Sequence, residues 1–311
     1  MSLETGTVIV TFVLLLVPWV ALGVPAFRRR LPEPGRWAPL ASLLILVVYG
    51  LYAAGTRGGS LRGLLVLSGY LLATALLSIP VDGVRSRLVL ATALVLWLPF
   101  DLDWGDRRLM AGIWRWPNDE LGYGLSSLAA SVAGLVYFAW ARPIGLRYDW
   151  VLDRRTLVFV AGLLVALTAI MLPIGYVTSF LAFGLADAWS RPFGRAVFEL
   201  AGVFVLIFVF TAVPEEIVFR GLIQNNLTAR AGTVAGRRAA LVASSIVFGA
   251  AHLNNPAGIY GTPNFMYMGM ATIAGLGYGL AWNRGGILAS ALLHTAIDWI
   301  WHFLLTGETR G

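Results

Sequence analysis

Ten apolar stretches follow one another along the chain, at 7–27, 38–55, 63–80, 88–100, 121–141, 156–175, 198–227, 239–252, 265–283 and 286–305. A helix needs about 20 apolar residues to cross the hydrocarbon of a bilayer. Most of these runs come close to that length, with 88–100 and 239–252 the short ones. Backbone in lipid must satisfy its own hydrogen bonds, which leaves helices or a closed barrel. The runs are continuous, without the apolar–polar alternation of a barrel strand. The expectation is an all-α, polytopic integral membrane helical bundle of about 8–10 transmembrane helices.

Composition points the same way. Hydrophobic residues make up 58% and charged residues 13%, against about 25% charged in ordinary globular chains. A soluble domain of this length could not hide so much apolar surface. A soluble enzyme and a disordered chain are therefore excluded. The absence of cysteine excludes disulfides, thiolate chemistry and cysteine zinc sites. All 23 basic residues are arginine, and the net charge is +7. In a membrane chain such charge sets topology and does not indicate nucleic-acid binding.

Charge also orients the chain. Glu4 precedes the first run and Arg28, Arg29 and Arg30 follow it. A cleavable signal peptide has the opposite order, so a retained first span with its N-terminus outside is expected. With ten spans in that orientation, fourteen arginines fall in inner segments and eight in outer ones, with Arg220 inside a helix. That bias matches the rule that inner loops carry the positive charge. Trp104, Trp114 and Trp116 then fall where an outer aromatic belt would sit. The connection 176–197, with Asp187, Arg191, Pro192 and Arg195, suggests a soft boundary. It separates an N-terminal transmembrane region of unknown role (1–190) from a C-terminal helical core (191–306).

The informative residues are the few polar ones left inside the runs. An ionisable side chain at mid-membrane costs about 2.5–3.5 kcal/mol on insertion scales, so such residues are functional candidates. Pro214-Glu215-Glu216 lies in the middle of the run 198–227. Glu216 and Arg220 are four apart and share a helix face, where an ion pair makes both tolerable in a dry site. A salt bridge that only fixes helix packing is the alternative reading of that pair. Glu215 lies about 100° round the helix, free for another role. In the next run Phe248 and His252 share a face, and Asn254, Asn255 and Pro256 end the helix. Alone, such a histidine is more often a cap or packing residue. In the last run His294, Asp298 and His302 form a stripe at four-residue spacing. A His–Asp pair suits a proton relay, a metal pair or a ring orienter.

Depth ties these signals together. At about 1.5 Å rise per residue, Glu215, His252 and Asp298 each stand about 18–20 Å from the inner end of their run. His294 is one turn lower, and His302 lies nearer the outer interface, outside the candidate set. Three helices thus bring polar groups to one layer. Gly275 and Gly279 make a G-x-x-x-G face for close helix approach. Arg284-Gly285-Gly286 reads as a tight inner turn.

Glu215-Glu216-x-x-x-Arg220, Phe248-x-x-x-His252 and His294-x-x-x-Asp298 together resemble the three motifs of the CPBP family. This family comprises the CAAX protease and bacteriocin-processing intramembrane peptidases, also called the ABI family. The resemblance covers about residues 195–305 and is closest in the stretch Pro214 to Gly221. It implies a membrane-embedded endopeptidase of the type II CAAX prenyl protease kind. It implies that Glu215 and His252 activate a water, that His294 and Asp298 hold the tetrahedral oxyanion, and that Glu216 and Arg220 brace the first helix. Amide hydrolysis does need a base for water and a donor for the oxyanion. The family often has Asn at the position of Asp298. A charged Asp298 would repel an oxyanion, so it is either protonated or an orienter of His294.

Two alternatives stay open. A divalent metal such as zinc, held by Glu215, His252 and His294, would have a two-His-plus-carboxylate set, though the chain lacks an H-E-x-x-H helix. A non-peptidase, either an immunity-type binder or a proton-coupled transporter, would use the same cluster as a relay. Transporters often show inverted repeats, and none is visible here. The expected partners are a membrane-anchored or lipid-modified peptide or protein and the bilayer, with no nucleic acid. A CAAX substrate would carry a prenylated C-terminal cysteine. The expected location is the cell membrane, multi-pass, with the site opening toward the cytoplasmic half.

Overall fold

The computed structural model describes residues 2–80, 85–102, 109–181, 190–257 and 259–301. Trp104, Arg107, Arg108, Asp187, His302 and Arg310 lie outside the described residues. Among those described, the long elements are nine helices and there is no strand. In chain order they are α1 (Leu3–Leu22), α2 (Ala38–Gly55), α3 (Leu61–Ser78), α4 (Arg85–Asp101), α5 (Asp119–Ala141), α6 (Arg154–Val177), α7 (Phe193–Arg230), α8 (Val234–Ala250) and α9 (Phe265–Trp299). In its described residues each of the ten apolar runs is mainly helical, α9 accounting for the last two. Six helices are long and apolar enough to cross a membrane: α1, α2, α3, α5, α6 and α7. The apolar part of α4, Leu88–Asp101, is shorter. The protein is an all-α polytopic membrane bundle.

Local chemistry starts these helices. The side chains of Ser2, Ser60, Asn118, Asp153, Thr233 and Asn264 each accept a backbone N–H three residues on. Each thereby satisfies one of the donors that a helix N-terminus leaves unpaired. At Asp153 the Thr156 N–H holds the carboxyl below its usual range.

The described residues pack as two compact units, Met1–Trp150 with Gly221–Asn226, and Val151–Arg220 with Leu227–Gly311. This division by packing is a different partition from the division by role expected at 190/191. In the first unit, Trp114 is fully buried, edge-on to Tyr49 and Tyr52 with ring centroids 5.1 Å from each. Tyr52 Oη accepts the Trp116 N–H and donates to the Trp116 carbonyl oxygen. This corrects the aromatic-belt expectation for Trp114. The short turn Ala111–Ile113 carries the ring into the core instead of leaving it at an interface. Deeper in that unit the Tyr137 hydroxyl meets Thr74 and Ser42 at 2.9 and 2.8 Å. Below α1, Arg28 binds the Tyr148 carbonyl oxygen and the Asp149 carboxylate.

The second unit holds every intramembrane ionisable residue singled out above. There α9 packs against α6, α7 and α8. It is not one rod. Gly286 has φ 71° and ψ −161°, a region essentially closed to residues with a Cβ. The chain reverses at that point. Ser290 Oγ comes 2.9 Å from the Tyr278 carbonyl oxygen, whereas a straight helix would separate residues 278 and 290 by about 18 Å. The two arms, 265–285 and 287–299, therefore form a helical hairpin, the tight turn expected at Arg284-Gly285-Gly286. Trp299 Nε1 donates to the Leu200 carbonyl oxygen at 2.8 Å and ties the second arm to α7.

Gly286→Ala is expected to lower stability by about 1–3 kcal/mol, the cost of holding a Cβ in that conformation. Thermal unfolding in detergent, followed by far-UV circular dichroism, measures it; an unchanged midpoint would contradict the role given to the turn.

Candidate active site

The site starts from a local conflict in α7. Pro214 has no N–H to give and its ring crowds the carbonyl four residues earlier, here that of Phe210. The helix widens at that point into a π-type turn, Phe208–Ala212, and a second π-type turn, Ile217–Gln224, follows beyond the reach of the proline. Such turns often occur at functional positions. Between them Val213–Glu216 is regular α-helix, so the two carboxylates sit on the one tight turn.

Glu216 is wholly buried. Its Oε2 accepts from Arg220 Nε at 3.2 Å and is in short contact with Ser290 Oγ. Its Oε1 accepts from His294 Nδ1 at 3.0 Å. Three donors from two helices thus converge on one carboxylate, and bonds of this charge-assisted kind are the strong ones. Arg220 is itself buried; Nη1 reaches Ser244 Oγ at 3.5 Å, and its Cζ lies 5.2 Å from the Phe248 ring centroid. Gly275 makes room for this. A Cβ there would come within 3.1 Å of Arg220 Nη2 and 3.2 Å of Phe248 Cδ1.

Glu215 is held differently. Its Oε2 is buried and has no hydrogen-bond partner among the described residues. Its ion-pair contact is His294 Nε2 at 3.8 Å, and the side chain retains 28% exposure. His294 Nε2 also faces Asp298 Oδ2 at 3.3 Å. The His294 ring is therefore bonded edge to edge between Glu216 at Nδ1 and Asp298 at Nε2. Its face is covered too: the Tyr278 ring stacks on it with centroids 4.5 Å apart and planes 15° apart.

His252 sits just beyond α8, whose last residue is Ala250. Its Nδ1 is 2.8 Å from the Phe248 carbonyl oxygen. A carbonyl can only accept, so Nδ1 carries the proton and Nε2 of the neutral ring keeps its lone pair. Phe248 lies between the two histidines, with ring centroids 4.8 Å from His252 and 5.6 Å from His294. Tyr267 covers His252 from the first arm of α9, 4.8 Å away.

All six residues singled out from the sequence thus meet in the second unit. Glu215, Glu216, Arg220, His294 and Asp298 form one connected polar cluster, and His252 joins it through Phe248. Asp298 stands where an orienter of His294 would stand. Four neighbours went unrecognised: Ser244, Tyr267, Tyr278 and Ser290. Ser290 had a signal, since it continues the stripe His294–Asp298 one turn earlier. Tyr278 had none, because the reversal at Gly286 brings it to His294 across the hairpin. Among the described residues no three His, Asp or Glu side chains are grouped as a metal ion requires. Both nitrogens of His294 are turned to carboxylates that lie outside the expected ligand set Glu215, His252 and His294, or to Glu215 only at 3.8 Å. Among the described residues the expected set Glu215, His252 and His294 is not grouped as a metal ion requires.

Residues 197–300 match the family model of the type II CAAX prenyl endopeptidases, Rce1-like. This is about a third of the chain, and it contains all six site residues. The match agrees with the likeness to the CPBP family carried by the three motifs. Neither the curated proteins nor the solved structures give a match to the chain. The likeness is to a family of CAAX-type intramembrane proteases, and it extends over that segment of the chain.

The counter-ion of Glu216 and the neighbouring Glu215 should separate in a stability measurement. Arg220→Met leaves a buried carboxylate without its counter-ion and is expected to cost about 3–5 kcal/mol. Glu215→Gln removes no hydrogen bond and leaves no charge without its counter-ion, so it is expected to cost clearly less than Arg220→Met. Unfolding of both variants in the same detergent measures the difference.

Proposed function

We propose that the protein is an intramembrane endopeptidase that hydrolyses a peptide bond in a membrane-anchored or lipid-modified protein or peptide. The observation that carries this reading is the contrast between neighbouring carboxylates. Glu216 is fully engaged, while Glu215 keeps a buried oxygen with no hydrogen-bond partner among the described residues, beside the imidazole of His294. A buried polar atom without a partner costs free energy. Such an atom next to a donor is what a water-activating base needs.

In this reading Glu215 takes a proton from the attacking water, aided by the Nε2 lone pair of His252. The water oxygen forms the new bond to the carbonyl carbon, and the carbonyl oxygen becomes an oxyanion. His294 offers Nε2–H to that oxyanion, exchanging its contact with Asp298 for one to the substrate. The C–N bond then breaks, and the proton held by Glu215 passes to the leaving amine nitrogen. Asp298 orients the imidazole and balances its charge. Glu216 and Arg220 do no chemistry but fix His294 through Nδ1. The surrounding apolar helices keep bulk water out, which strengthens each of these interactions.

The location we propose is the cell membrane, multi-pass, with the N-terminus outside and the site opening toward the inner half. The arginine bias supports this orientation. The substrate class follows from the surroundings, since a site walled by apolar helices meets its peptide within or beside the bilayer.

Glu215→Gln and His252→Ala, expressed at wild-type levels, are expected to lower cleavage by about 10²–10⁴. His294→Phe is expected to lower it by about 10²–10³, the usual effect of one oxyanion donor. Comparative terminal-peptide mapping of membrane proteins from cells carrying wild-type or Glu215→Gln protein finds the substrate. Wild-type cleavage by Glu215→Gln would sink the reading. Glu215-dependent proton flux in liposomes without any cleavage would mark a transporter instead.

A further inference from the structure

The contacts around His294 go further than the motifs that first pointed to it. The imidazole is clamped on three sides: Glu216 at Nδ1 (3.0 Å), Asp298 at Nε2 (3.3 Å) and the Tyr278 ring on its face (4.5 Å, 15°). Tyr278 is itself buried and reaches that position only because the chain reverses at Gly286. Ser290, equally buried, stands inside the hairpin. Its Oγ lies within reach of both Glu216 Oε2 and the Tyr278 carbonyl oxygen. It therefore links the carboxylate that holds one edge of His294 to the backbone of the residue that covers its face.

Resting on the peptidase reading above, we infer that Tyr278 and Ser290 are positioning residues for His294. The stacked ring of Tyr278 blocks rotation of the imidazole about its Cβ–Cγ bond. Ser290 and Arg220 hold Glu216 Oε2 from two directions, so that Oε1 stays aimed at Nδ1. Neither residue touches the substrate in this arrangement. What they fix is the direction in which Nε2 presents its hydrogen, and an oxyanion donor works only when aimed at the place where charge develops. The flat ring of Tyr278 is the part required, and its hydroxyl is dispensable.

The test has two arms, and the first needs no substrate. The chain has three histidines, so ¹⁵N-histidine NMR of the full-length protein in detergent is simple to assign, His294 being the signal lost in His294→Gln. Wild type and Tyr278→Phe are expected to show one fixed set of His294 ring nitrogens. Tyr278→Leu is expected to show averaged or broadened ones. In the second arm a farnesylated, internally quenched CAAX peptide is the probe. Tyr278→Leu and Ser290→Ala are expected to lower kcat by about tenfold to a hundredfold, the usual effect of small misplacements, while KM stays near wild type. Tyr278→Phe should keep kcat.

Unchanged His294 signals in Tyr278→Leu overturn the inference, and this arm alone decides if the peptide is not cleaved. So does a wild-type kcat for Tyr278→Leu or Ser290→Ala when Glu215→Gln is inactive. If Tyr278→Leu does not fold, loss of kcat in Tyr278→Phe overturns it, as does a wild-type kcat in Ser290→Ala. A fully active Glu215→Gln, by contrast, fails the peptidase reading and leaves the NMR arm to judge the positioning.

Discussion

The buried negative charge of Glu216 is the constraint around which the second unit is organised. A carboxylate removed from water is tolerable only if donors replace its hydration on every side. Arg220 comes from the same helix, and Ser290 and His294 from the second arm of α9. Satisfying one charge therefore fixes the register of two helices against each other. It also decides which edge of His294 faces inward and which faces Asp298 and Glu215. The chemistry assigned to Glu215 depends on its neighbour having absorbed the donors that Glu215 lacks.

That network is coupled to backbone choices some distance from it in sequence. Pro214 strains α7 just before the glutamates, where the helix widens, and Gly275 leaves the space that the Arg220 guanidinium and Phe248 ring occupy. Gly286 turns α9 back on itself, so that a tyrosine sixteen positions before His294 ends up on its face. Each of these residues acts through what it lacks, an N–H or a Cβ. The polar groups they bring together all lie in helices that are otherwise apolar.

Much of this was legible in the residues, and the limits have physical reasons. The apolar runs became helices, because lipid-exposed backbone has few other options. The pairs Glu216–Arg220 and His294–Asp298 formed, because four-residue spacing puts side chains on one face. Counting depth along the helices brought Glu215, His252 and Asp298 to one layer, and they are in one cluster. Trp114 was misread because tryptophan serves interfaces and cores alike, and only the path of the turn Ala111–Ile113 distinguishes them. Tyr278 could not be read, since its partner lies beyond a chain reversal that helical periodicity does not encode. Among the described residues six helices meet the length and hydropathy of a full span. The other apolar runs are shorter or are arms of one broken helix, which a count of runs alone does not separate.

The widened turns of α7 have a consequence for reading related chains. A π-type turn holds an extra residue in the space of an ordinary one, so each resets the angular phase of everything beyond it. Residues before Phe208 and after Gln224 therefore do not share one helical wheel with Glu215 and Glu216. A relative that resolves the strain of its proline with one wide turn fewer would align with a single-residue gap inside a transmembrane helix. There such a gap would be a shift of face, with the helix unbroken.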